Sequence, residues 1–158
     1  MKFSAREDIS APIDAVFAAL SDFDTAERAA LRRGAEVQRE DPQGAPGLGS
    51  KWSIVFAFRG KARKMKAKVT DFSAPEGMSV QGDGAGLETA VEIQLVALSP
   101  RQTRVKIEVE VKPKTITARL FVQSLRLARA NLTQRFKDGV HKYIRDMEVR
   151  LNGAPRRA

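Results

Sequence analysis

The sequence predicts an α+β domain, an antiparallel sheet of about six or seven strands lying against one long C-terminal helix. Three observations predict it. Between residues 51 and 111 apolar and polar side chains alternate with the two-residue period of half-buried strands. After Pro113 the period changes to three and four and holds to about Leu151. None of the 158 residues is cysteine, so disulfides, thiol nucleophiles and cysteine zinc sites are excluded. A chain of this length can bury a sufficient core by apolar packing alone.

The elements follow in order. In residues 2–10, Phe3, Ala5 and Ile9 share one face and Lys2, Ser4, Arg6 and Asp8 the other, which makes a half-buried strand. Glu7 falls on its apolar face. Pro12 suits a first helical position, Asp14 suits the first turn, and Ile13, Val16, Phe17 and Leu20 form one apolar stripe. A second short helix follows, with Asp24 and Glu27 at capping-box spacing and Gly34 as its stop. "AEVQRE" reads as a short strand and "DPQGAPGLGS" as a loop.

The meander comes next. Trp52, Ile54, Phe56 and Phe58 form one face, and "RG" at 59–60 reverses the chain. Met65, Ala67 and Val69 then alternate with Lys64, Lys66 and Lys68. "MSVQGD" is a short strand. In the last two strands Leu87, Thr89, Val91, Ile93 and Leu95, and then Val105, Ile107, Val109 and Val111, make dry faces. The C-terminal helix carries Phe121, Leu125, Ala128, Leu132, Phe136, Gly139, Tyr143 and Met147 as one continuous stripe. Residues 1–151 are expected to form a single domain and residues 152–158 a flexible basic tail.

Charge is unevenly placed. Residues 1–113 hold 17 basic and 16 acidic side chains, whereas residues 114–158 hold 11 and 3. The basic run "KARKMKAKV" is therefore balanced locally, and its lysines are the wet face of a strand. The N-terminus lacks the apolar stretch of a secretory signal, and no run reaches a membrane-spanning length. A soluble, cytoplasmic protein is expected.

Several chemistries are disfavoured. "GLGSK" precedes a strand and lacks the spacing of a phosphate-binding loop. His141, the only histidine, faces away from the predicted stripe, which leaves it solvated and removes the usual general base and metal ligand. Nucleic-acid binding is disfavoured because the aromatic residues fall on dry faces and leave none to stack on bases.

The order of elements, with "ISAPIDAVFAALSDFDTAERA", "GLGSKW", "FRG" and "APEG", resembles the START-like superfamily, also called SRPBCC or birch-pollen-allergen-like. More narrowly, it resembles the bacterial polyketide cyclase/dehydrase and lipid-transport group. The resemblance runs to about residue 151 and implies a helix-grip fold with a hydrophobic cavity between sheet and C-terminal helix. It implies binding or transport of a small hydrophobic ligand: a lipid, a polyketide or a quinone-like molecule.

On that reading the ligand-lining candidates are Trp52, Ile54, Phe56, Met65, Val69, Thr89, Val91, Ile93, Val105 and Ile107 from the sheet. The helix contributes Phe121, Leu125, Leu132 and Phe136. No metal or redox cofactor is expected. The alternative is a cyclase/dehydrase-type enzyme, with Glu7 or Asp71 moving a proton. A third reading is a docking protein that sets Arg119, Arg126, Lys137 and Arg145 on RNA, a ribosome or an anionic membrane. Ile116, Leu120 and Leu127 lie on a different side of the helix and are candidates for a homodimer seam.

Overall fold

The computed structural model describes residues 1–40, 47–58 and 60–153. Seven strands form one antiparallel sheet: β1 (Lys2–Ile9), β2 (Glu36–Arg39), β3 (Lys51–Phe58), β4 (Lys61–Ser73), β5 (Gly77–Gly84), β6 (Leu87–Ser99) and β7 (Gln102–Pro113). Their spatial order is β1-β7-β6-β5-β4-β3-β2, so the meander is closed at one edge by the first strand. Helices α1 (Ile13–Leu20) and α2 (Phe23–Arg32) follow β1, and α3 (Ile116–Arg126) and α4 (Arg129–Asn152) end the chain. This is the α+β arrangement that the alternation and the late change of period predict, and the helix-grip fold that the resemblance implies. Among the described residues no helix is long and apolar enough to cross a membrane.

Register sorts the dry face into rows. Val69, Val80, Val91 and Val109 stand side by side across four strands. The next row holds Phe72, Met78, Ile93, Ile107 and Ala5. These rows, with Ile9, Val16, Phe17, Leu20, Ile144 and Met147, make the main core. The core therefore occupies the end of the sheet covered by α1 and the second half of α4.

The predicted single helix is two. The chain leaves α geometry at Ala128 (φ −106°, ψ 20°), with neither glycine nor proline at the break. The buried stripe of α4 is then Phe136, Val140, Ile144 and Met147. Gly139 and Tyr143, predicted to be inside, are exposed, because the break resets which side of the helix meets the sheet. The second-helix cap is also corrected: Asp22 accepts from the Thr25 amide at 3.2 Å, while Glu27 accepts from Trp52 Nε1 at 2.7 Å. The loop predicted around residues 41–46, part of the reversal at Arg59 and the tail from 154 lie outside the described residues. Asn152, assigned to the tail, ends α4 and donates its Nδ2 to the Ser10 carbonyl at 2.7 Å.

Polar pairs fix the ends of β1. Arg104 donates Nε and Nη2 to the Asp8 carboxylate at 2.9 and 3.2 Å. That hydrogen bond holds the Asp8 carboxyl below its ordinary range. A depressed folded pKa contributes stability above the unfolded value of about 3.9, and that stability is lost as pH falls through the folded value. The stability gap between the parent and Asp8→Asn is thus expected to be wider at about pH 7 than at about pH 3. Urea midpoints at the two pH values check it, and an equal gap at both would contradict it.

Candidate functional site

Among the described residues three grooves of similar size stand out, and their chemistry separates them. One, of about 460 Å³, lies at β1 and is lined by Ser4, Ala5, Arg6, Glu7, Lys106 and Lys137. A second, of about 510 Å³, runs between α2 and α4 over mainly charged and polar side chains, Asp22, Arg32, Lys142, Asp146 and Arg150 among them. The third, of about 500 Å³, lies between α3 and the sheet and is apolar in most of its lining.

The apolar cleft forms because α3 stands apart from the main core. Its buried residues, Ala118 and Val122, are not part of the cluster that holds Ile144 and Met147. Below α3 the sheet presents Phe56 and Phe58 from β3, Arg63 from β4, Leu87 from β6 and Val111 from β7. From the helix side Thr115, Thr117, Ala118, Phe121 and Leu125 complete it. The rings of Phe58 and Phe121 meet edge to face at 5.6 Å, bridging sheet and helix at the rim.

The rim is set by the β5–β6 turn. Gly86 has φ +73°, and a Cβ there would lie 2.7 Å from Thr115 Oγ1. Only glycine lets the turn come this close to the helix start. The Gly86 carbonyl accepts from the Lys114 amide at 2.8 Å, and Thr115 Oγ1 caps α3 through the Ala118 amide at 3.0 Å.

Of the predicted lining residues, Phe56, Phe121 and Leu125 reach this cleft. Ile54, Met65, Thr89, Val91 and Ile93 are half-buried on the same face of the sheet, and Leu132 and Phe136 are half-buried on α4. Phe136 packs on Phe3, with ring centroids 5.8 Å apart. Trp52, Val69, Val105 and Ile107 are buried in the core and do not line this cleft. Trp52 closes α2 onto β3, its ring edge to face with Phe23 at 4.9 Å.

The candidate acids are elsewhere. Glu7 pairs in register with Val105, whereas Val111 of the cleft lies six residues along the same strand, about 20 Å away at 3.4 Å per residue. Glu7 Oε1 lies 2.8 Å from His141 Nδ1, and its Oε2 lies 3.8 Å from Arg145. His141 therefore turns toward β1 rather than only into solvent. Asp71 is exposed beyond a β-bulge and accepts from Ser73 Oγ at 3.0 Å. Among the described residues no carboxylate lines the apolar cleft.

The four residues of the basic track divide. Arg119 and Arg126 are exposed on α3 and Lys137 on α4. Arg145 is drawn in: it donates to Glu148 Oε1 at 3.1 Å and to the Asp8 carbonyl. Glu148 in turn accepts from the Ser10 amide at 2.7 Å, so this cluster ties α4 to the end of β1. Ile116, Leu120 and Leu127 lie open on α3, with Leu127 92% exposed.

Sequence reasoning missed Arg63. It shares parity with Met65 and pairs with Phe56 across β3 and β4, which turns it to the dry face. A charged residue at a dry position was the available signal.

Comparison with known proteins agrees with this architecture. The family described as polyketide cyclase / dehydrase and lipid transport matches residues 1–148. No curated protein matches. The chain is similar in structure to the Zhui aromatase/cyclase from Streptomyces sp. R1128, with TM-score 0.67, 11% identity, and 98% of this chain and 99% of that one covered. It is similar to TTHA0849 from Thermus thermophilus, with TM-score 0.67, 14% identity and coverage of 97% and 100%. It also resembles truncated norcoclaurine synthase from Thalictrum flavum, with TM-score 0.58, 17% identity and coverage of 72% and 76%. At these identities the structures speak for the fold, and the family match over residues 1–148 speaks for descent: the chain belongs to the polyketide cyclase / dehydrase and lipid transport family.

Proposed function

We propose that this protein binds or carries a small hydrophobic molecule, of lipid, polyketide or quinone-like character, in the cleft between α3 and the sheet. The carrying observation is the cleft itself: about 500 Å³, with apolar walls from three strands and a helix. That volume falls in the range of ligand sites, about 300–1,000 Å³. Affinity would come from apolar ligand surface leaving water, at about 25 cal/mol per Å². Phe56, Phe121 and Leu125 are the proposed apolar contacts, and Met65 and Thr89 extend the same face of the sheet toward the core. The family's description supports the class of ligand.

The cyclase/dehydrase alternative draws less support. It asks for a carboxylate at the ligand, and Glu7 and Asp71 lie outside the cleft. The docking alternative asks for a closed cavity and one basic track, and Arg145 is committed to β1.

Native mass spectrometry of protein purified from its own host tests the proposal. A co-purifying lipid-like mass is expected. A clean apo mass, together with no saturable binding of the fluorescent amphiphile dansylaminoundecanoate, would contradict it.

A further inference from the structure

Arg63 is the one charged side chain among the described residues that line the apolar cleft. It stands opposite Phe56, and the same walls hold Phe58 and Phe121. Its Nε is buried and has no hydrogen-bond partner, and the side chain makes no ion pair with any described carboxylate. A guanidinium cannot relieve this by losing its proton. A buried donor left unfilled is costly, and an acceptor anion brought against it recovers that cost. The guanidinium fork offers parallel N–H groups that match the two oxygens of a carboxylate. The first turn of α3, capped by Thr115, lines the same cleft, and its dipole acts in the same sense.

We infer that the cleft takes an amphiphile, an apolar body bearing one carboxylate, with the carboxylate paired to Arg63. Among the described residues one cation lines the cleft, and one cation matches a single negative charge better than a phosphate monoester, which carries close to two at neutral pH. The inference rests on the reading of the cleft as an apolar ligand site and adds the chemistry of the ligand's head.

The test compares dansylaminoundecanoate with its primary amide, which keeps the body and removes the charge. Fluorescence titrations are run on the parent, Arg63→Met and Arg63→Lys, with circular dichroism to show that each is folded. The parent is expected to prefer the acid by about ten- to a hundredfold. Arg63→Met is expected to lose that preference, its affinities for acid and amide becoming equal. Arg63→Lys, which keeps charge without the fork, should retain part of it. In the parent, the preference should vanish as pH falls through the carboxylic acid range.

Equal affinity of the parent for acid and amide would overturn the inference and leave the apolar site standing. A preference that survives in Arg63→Met would overturn the role of Arg63. Failure of both probes to bind the parent would count against the cleft as a ligand site. If Arg63→Met does not fold, undiminished preference in Arg63→Lys together with no pH dependence in the parent overturns the proposal.

Discussion

Ile144→Ala is expected to cost about 2–5 kcal/mol, the range for truncating a large aliphatic side chain in a closed core. Ile144 is wholly inaccessible and packs with Ile9, Val16, Val105 and Met147, so water cannot fill the space left behind. For a domain of this size such a loss is a large part of a total of about 5–15 kcal/mol. The adjacent change Gly139→Ala should act in the opposite sense. A Cβ at Gly139 meets nothing within 4 Å, so alanine removes the helix penalty of glycine, about 0.8–1 kcal/mol. Urea unfolding of the two variants measures both. Had the continuous stripe been right, with Gly139 against the sheet, alanine would be destabilising. A stabilised Gly139→Ala beside a severely weakened Ile144→Ala therefore fixes the rotation of α4.

Phe121→Ala is expected to weaken binding of dansylaminoundecanoate by at least about tenfold, the loss of one aromatic anchor. Phe121 supplies wall area to the cleft, and its edge-to-face contact with Phe58 joins the helix to the sheet at the rim. Because the ring is half-buried and outside the main core, the same change should cost much less stability than Ile144→Ala. Paired titration and unfolding curves separate the two effects. Unchanged affinity, or a stability loss equal to that of Ile144→Ala, would contradict the position assigned to this residue.

The strands were legible because alternation alone decides which face of a half-buried strand is dry. Met65, Thr89, Val91 and Ile107 all lie on the face that their parity predicts. Alternation does not say how far along the sheet a residue sits. That depends on register, which places Val69 in a closed row with Val80 and Val91 but Phe56 opposite Arg63 at the cleft. Core and cleft residues therefore look alike in sequence, as Val105 and Val111 do on one strand. The break at Ala128 was not legible, because leucine, alanine and arginine around it all favour helix. With the break hidden, the predicted stripe runs on into α4 through Gly139 and Tyr143 instead of Val140 and Ile144. Arg145 then reads as an outer cation, although Asp8 and Glu148 hold it inward.

The most direct test of the central claim is a methyl NMR titration of leucine- and valine-labelled protein with dansylaminoundecanoate. Saturable shifts are expected at Leu87, Val111 and Leu125, which line the apolar cleft. Val149 in the groove between α2 and α4, and Leu120 and Leu127 on the open side of α3, should stay in place. Shifts centred on Val149, or on Leu120 and Leu127, with Leu87, Val111 and Leu125 unmoved, would contradict the account.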